Sequence, residues 1–169
     1  MAIVAGIEER AEGRVYNSAV WLDADGELLL RHRKINELEL ARGLYATGTE
    51  LRVIPWRGRM AGVAICADSW RPEVTDALWL MGARVIFSPC AWAVEPGGEG
   101  TNLAWITETY RQRIGTRELT FAAANGVGPV TEGSWKGRRL QGNSLVVGPG
   151  GKVLASGAVN EEELVCWEI

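Results

Sequence analysis

The stretch Met60-Ala-Gly-Val-Ala-Ile-Cys-Ala-Asp-Ser-Trp-Arg-Pro72 constrains the chain more than any other. Its apolar first half, with the β-branched Val63 and Ile65, reads as a buried strand that stops at Cys66, just ahead of a polar turn. Pro72 then stands where the first residue of a helix is expected. Glu73 and Asp76 fall in the opening turn, and Val74, Ala77, Leu78 and Met81 repeat at helical spacing until Gly82. Ala83 to Pro89 is the next strand, so strand, helix and strand make a parallel βαβ unit. A thiol is left where a strand opens into a helix, and there backbone N–H groups and the positive helix end favour thiolate.

The rest of the chain is arranged around this unit. Ala2 to Gly6 and Tyr16 to Leu22 read as strands separated by a polar loop from Glu8 to Arg14. Asp23-Ala-Asp-Gly26 carries a hairpin signal, with Glu27 to His32 returning as the partner strand. Arg33 to Gly48 mixes charge with Leu38, Leu40 and Leu44 at no clean period, which suits an irregular loop with one helical turn beside a strand end. Leu51 to Trp56 and Met60 to Ile65 pair around Arg57-Gly58. Downstream, Ala91 to Gly100 is a flexible loop, and Thr101 caps a helix whose apolar positions are Leu103, Ile106, Tyr110 and Ile114, with Gly115 at its end. Strands are expected at Leu119 to Ala124, Leu140 to Val147, Lys152 to Ala155 and Leu164 to Ile169. A glycine-rich loop spans Asn125 to Arg139 and a tight turn sits at Gly148-Pro-Gly-Gly151. The pattern is one α/β domain over residues 1–169 in which sheet outweighs helix.

Composition excludes several classes of function. A net charge of −3, with no Lys/Arg cluster interleaved with aromatics, removes the electrostatic case for nucleic acid and leaves small molecules or proteins as partners. Cys66, Cys90 and Cys166 are an odd number at wide spacing, against a disulfide framework and for a reducing compartment, the cytoplasm. One histidine and scattered cysteines supply no usual metal ligand set, and no cofactor is expected. No signal segment or membrane-spanning run is visible, so no membrane partner is expected.

For Cys66 two readings stand open, a reactive thiol or a buried structural cysteine. Cys90 follows a strand without a helix behind it and reads as structural. Cys166, inside the expected last strand, reads as packing. A cysteine nucleophile usually has a histidine base, but the single histidine, His32, sits among Arg31, Arg33 and Lys34, which would hold it neutral or on a solvated edge. Nothing in its spacing pairs it with Cys66. Lys34 ends the hairpin strand and can point along the sheet's rim. Glu37 and Glu39 follow within five residues, so a cation and a carboxylate can converge there, or simply make surface salt bridges. Trp70 and Trp92 flank strand ends, where they line a pocket or belong to the core.

Tyr16-Asn-Ser-Ala-Val20 with Asp25-Gly26, Arg33-Lys34-Ile35, Gly62-Val-Ala-Ile-Cys66-Ala-Asp68 and Ser88-Pro-Cys-Ala-Trp92, followed by Asn125 and Gly142-Asn-Ser-Leu-Val146, together resemble the nitrilase superfamily. These carbon–nitrogen hydrolases cleave nitriles, amides and carbamoyl groups. The resemblance implies a four-layer α-β-β-α sandwich, commonly an oligomer joined through its outer helices. It places Cys66 on the family nucleophile and Lys34 on the lysine that steadies the tetrahedral intermediate. The family's second carboxylate aligns with Ala41, so Glu39, with Glu37 behind it, is the substitute in this chain. The family's general-base glutamate belongs to an opening strand and helix that precede Met1, so the resemblance covers the C-terminal majority of the domain and implies an N-terminally incomplete one. What is expected is a cysteine-dependent hydrolase with a thioester intermediate, acting on amides rather than nitriles. The alternative is a non-catalytic binding or assembly module that keeps the fold.

Overall fold

The computed structural model describes residues 1–168, and the chain divides into two compact units, Met1–Pro89 and a second from Cys90 onward. The first opens with an antiparallel sheet of β1 (Ile3–Ala11), β2 (Arg14–Leu22) and β3 (Leu28–Arg33), in that order. β1 is longer than the sequence suggests: Glu8, Glu9 and Arg10 belong to it instead of forming a loop. Glu8 and Arg10 are exposed, and the half-buried Glu9 is satisfied across the sheet. The Glu9 carboxylate accepts Ser18 Oγ at 2.8 Å, Arg31 Nη1 at 2.8 Å and Arg33 Nη2 at 2.7 Å, and Glu12 and Gly13, with φ of 55° and 72°, make the two-residue turn. The second hairpin turn lies where Asp23 to Gly26 predicts it, with Asp23 Oδ1 accepting the N–H groups of Asp25 and Glu27 at 2.9 Å.

A second sheet follows from β4 (Val53–Trp56), β5 (Arg59–Val63) and β6 (Ala83–Cys90), joined at Arg57-Gly58 by another turn with both φ positive. β6 runs parallel to β5, and α1 (Pro72–Leu80) is the crossover, so the expected βαβ unit is present. The two sheets pack through aromatic rings. Trp21 of β2 meets Phe87 of β6 at 5.0 Å between centroids and Trp56 of β4 at 5.9 Å, both edge to face. On the opposite face Leu78 of α1 lies so close to Gly62 that a Cβ there would sit 2.9 Å from it. Helix, sheet and sheet are thus layered around a core of Ala19, Leu30, Val63, Leu78 and Val85.

The second unit contains β7 (Ala93–Val94), α2 (Glu99–Ile114), β8 (Thr120–Asn125), β9 (Val127–Pro129), β10 (Arg139–Gln141), β11 (Leu145–Val147) and β12 (Val153–Ser156). Strands β12, β11 and β8 form one sheet and β7, β10 and β9 another. α2 packs by stacking Tyr110 on Phe121 of β8, with centroids 4.8 Å apart. The helix starts at Glu99, two residues before the expected cap at Thr101, and Gly115 ends it at φ 53°. The single strand expected over Leu140 to Val147 is broken into β10 and β11, because Gly142 and Asn143 both take positive φ, at 65° and 56°. Leu164 to Glu168 forms no strand and Ile169 lies outside the described residues. Cys166 is exposed, not packed as expected.

Candidate active site

β5 delivers the chain to Cys66 at the rim of its sheet. Cys66 takes φ 46°, a left-handed conformation that costs an L-residue about 1 kcal/mol and that tertiary contacts must hold in place. It opens a 3₁₀ turn, Cys66–Trp70, in which Ser69 Oγ donates to the Cys66 carbonyl at 2.7 Å. The thiol side chain is buried and forms no disulfide.

Asp68 holds this turn against the segment that carries Lys34. With no accessible surface, its carboxylate accepts His32 Nε2 at 2.8 Å and the Ile65 N–H at 3.0 Å through Oδ2, and the Ile35 and Asn36 N–H groups at 3.0 and 2.7 Å through Oδ1. Asn36 adds a bond from its side-chain amide to the Ala67 carbonyl at 2.6 Å. A buried charge is tolerated only when its oxygens are so satisfied. One carboxylate therefore fixes the turn of the thiol and the residues on either side of Lys34. His32 is buried in this cluster, so the solvated edge anticipated for it is not where it lies. Its Nε2 is engaged by Asp68.

Lys34 is held from two sides. Its N–H donates to the Asn17 carbonyl at 2.8 Å, and its own carbonyl accepts the Gly48 N–H at 2.8 Å, which closes the loop from residue 34 to 48. Gly48 has no room for a side chain: a Cβ would come 2.0 Å from the Arg33 carbonyl oxygen. The Lys34 ammonium is buried and donates to Glu37 Oε2 at 3.1 Å. Glu37 is buried too, and its Oε1 has no hydrogen-bond partner among the described residues. Burial pushes the Glu37 carboxyl above its ordinary value; the ammonium of Lys34 and its hydrogen bond pull the other way without cancelling it, and the charge of Asp68 adds to the upward push. Glu39, by contrast, is exposed at the start of the 3₁₀ turn Glu39–Ala41. The structure brings Glu37, not Glu39, to Lys34, and Ala41 is half-buried in the same turn.

The remaining sequence candidates have structural places. Asn125 accepts the Trp92 N–H at 2.8 Å and donates to the Gly142 carbonyl at 2.9 Å, while Ser144 Oγ accepts the Asn125 N–H. Trp92 is buried beside Tyr110 and Cys90 is half-buried. A cavity of about 380 Å³ adjoins the Lys34 pair, lined by Ile35, Asn36, Glu37, Arg42, Thr47 and Arg71. Trp70, at the end of the Cys66 turn, is half-buried and does not line it. What sequence reasoning missed is the work of Asp68 and the precedence of Glu37. The Cys-x-Asp spacing was the available signal for Asp68.

In this mixed α/β fold a buried thiol on a left-handed turn is tied through Asp68 to the segment that carries a buried lysine–carboxylate pair. Residues 1–169 match the carbon–nitrogen hydrolase family model, and the chain belongs to that family. It is 30% identical over 167 residues to N-carbamoylputrescine amidase of Solanum tuberosum, covering 93% of this chain and 55% of that enzyme, and 30% identical to an (R)-stereoselective amidase of a Pseudomonas species, covering 91% and 52%. The chain thus spans about half the length of these curated relatives. A carbon–nitrogen hydrolase of Helicobacter pylori superposes with a TM-score of 0.83 at 26% identity, over 97% of this chain and 60% of that one. The fold is the mixed α/β fold of the nitrilase superfamily.

Proposed function

We propose that the chain carries the cysteine and lysine of an amide-cleaving carbon–nitrogen hydrolase, with Cys66 as nucleophile, Lys34 as the cation at the developing oxyanion and Glu37 as the carboxylate that orients Lys34. The observation that supports this most is the Asp68 clasp, which spends a fully buried charge on fixing the Cys66 turn and the Lys34 segment to each other. In the reaction the Cys66 thiolate adds to the amide carbon and the carbonyl electron pair moves to oxygen, where the Lys34 ammonium stabilises it. Collapse breaks the C–N bond, the nitrogen leaves as ammonia with the proton that the Cys66 thiol gave up, and Cys66 remains acylated as a thioester. Water then adds to the thioester, releases the acid and restores the thiol.

Glu37 takes the place that the sequence assigned to Glu39. An amide is favoured over a nitrile because the named relatives are amidases. The cytoplasm stays the proposed compartment, and among the described residues no helix is long and apolar enough to cross a membrane. A homo-oligomer is part of the same reading: Leu80 and Met81 at the end of α1 are exposed apolar residues, the kind an oligomer interface covers. Ala41, at the position of the family's second carboxylate, favours the rival reading of a binding module without turnover. Ammonia release from a panel of amides separates the two: the hydrolase reading requires release that Cys66→Ala abolishes, and the module reading requires binding with no release.

A further inference from the structure

Leu30, His32 and Lys34 alternate along one face of β3 and are all buried, whereas Arg31 and Arg33 point the other way, to Glu9. The charges that flank His32 in sequence are therefore turned to the opposite face of the sheet. Lys34, next on the buried face, is engaged by Glu37. What meets the imidazole is Asp68, whose Oδ2 lies 2.8 Å from Nε2. Both Asp68 oxygens already act as acceptors, Oδ1 for the Ile35 and Asn36 N–H groups and Oδ2 for the Ile65 N–H. An acceptor on one side of a hydrogen bond requires a donor on the other, so the ring proton of His32 belongs on Nε2.

The shared oxygen is the one that closes the turn of the thiol. Oδ2 accepts the Ile65 N–H at 3.0 Å and the Asp68 N–H returns to the Ile65 carbonyl at 2.9 Å, so Cys66 and Ala67 sit inside a ring of two bonds. Within that ring Cys66 holds its φ of 46°, a conformation that persists only where surrounding contacts impose it. We propose that His32 is a positioning residue of the thiol site: by donating Nε2–H it fixes the direction of Asp68 Oδ2, keeps the ring around Cys66 closed and holds the thiol in register with Lys34. The inference rests on the hydrolase reading and adds to it a residue that acts through another. Without the donor, Oδ2 keeps a single N–H and can turn about the Asp68 Cβ–Cγ bond. A shift of about 1 Å in an attacking atom is enough to cost about a hundredfold in rate.

His32 is the chain's single histidine, so its two ring nitrogens are read without ambiguity by NMR of protein labelled with ¹⁵N-histidine. At neutral pH the wild type is expected to carry the proton on Nε2, and in Asp68→Asn, whose Nδ2 donates in the place of Oδ2, the proton moves to Nδ1. His32→Leu removes the donor, His32→Phe removes it with ring volume kept, and His32→Gln puts an amide donor in its place. Urea curves establish that each variant is folded where it is assayed. His32→Leu and His32→Phe are expected to lower kcat for an amide about tenfold or more with KM within about twofold, and His32→Gln to restore kcat to within about threefold of wild type. Iodoacetamide alkylation of the Cys66 peptide, referred to the exposed Cys166 in the same digest, slows in the first two and recovers in the third. A residue that only fills the core would move the urea midpoint, leave kcat of the folded protein alone and, when truncated, speed alkylation of a loosened thiol. Nε2 without its proton, unchanged kcat, faster alkylation or no rescue by Gln overturns the proposal. No ammonia from any amide, with the ring proton and the alkylation rates as expected, sinks the hydrolase reading and leaves His32 in its role. Cys66-dependent release that none of the His32 variants alters does the reverse.

Discussion

Asp68 Oδ2 lies 2.8 Å from His32 Nε2, and neither side chain is more than 3% exposed. The same carboxylate takes three backbone N–H groups, so Asp68 is the knot between the turn of the thiol and the strand end of the lysine. Asp68→Ala leaves those donors buried and unpaired and is expected to cost about 3–5 kcal/mol, measured by urea unfolding. Asp68→Asn keeps the shape, but its Nδ2 cannot accept: in the place of Oδ2 it can only donate to His32 and leaves the Ile65 N–H unpaired, so it should cost less than Asp68→Ala without being neutral. Equal, small losses for both would show that the clasp carries little energy.

Glu37 makes stability depend on pH in one direction. Its folded-state pKa is raised above the unfolded value near 4.5, so the folded state holds the proton more tightly. Stability is fully present below pH 4.5 and is lost as pH rises through the raised value. Glu37→Gln carries no proton to lose, and its unfolding free energy should stay flat across that window where the wild-type value falls. A parallel fall in both proteins would assign the effect elsewhere.

Glu9 works with the opposite sign. Its hydrogen bonds with Arg33, which outweigh the cost of burial, and those with Ser18 and the charge of Arg31 bring its pKa down to about 2. That contribution is present above pH 4.5 and is lost as pH falls toward 2. Glu9→Gln should cost about 1–2 kcal/mol at neutral pH, after discounting for solvent screening, and the cost should vanish in acid. Chemical denaturation at a series of pH values reads both.

Gly48 tests how tightly the Lys34 loop is closed. Gly48→Ala puts a methyl group into the Arg33 backbone and is expected to destabilise by about 2–4 kcal/mol, while Gly43→Ala in the same loop meets nothing within 4 Å and should change stability little. Thermal melts of the two variants decide it.

The unit around Cys66 was legible because its signals are local: a β-branched run, Pro72 at the helix start and Gly82 after its end all act within one turn of chain. The hairpins at Gly26 and Arg57-Gly58 were legible for the same reason. Glu8, Glu9 and Arg10 read as loop because three polar residues in a row look like solvent exposure, while the partners of Glu9, Ser18, Arg31 and Arg33, are 9 to 24 residues away. The choice between Glu37 and Glu39 was hidden likewise. Both follow Lys34 closely, and only the fold of the loop, closed by Gly48, turns one inward and leaves the other in water. The break at Gly142-Asn143 has a local signal, the polar Gln141-Gly-Asn-Ser144 between Leu140 and Leu145, but apolar residues at both ends read as one strand, and the positive φ values that part them are held by distant bonds such as Asn143 Nδ2 to Ser156 Oγ at 2.9 Å.

The central claim is that Cys66 forms the covalent intermediate. Peptide mass spectrometry after quenching the protein with an amide substrate tests it most directly. The account predicts an acyl group on the Cys66 peptide, amide mass less ammonia, absent from Cys66→Ser and cleared as ammonia accumulates. Ammonia release that persists in Cys66→Ser, with no adduct on the Cys66 peptide of the wild type, would contradict it.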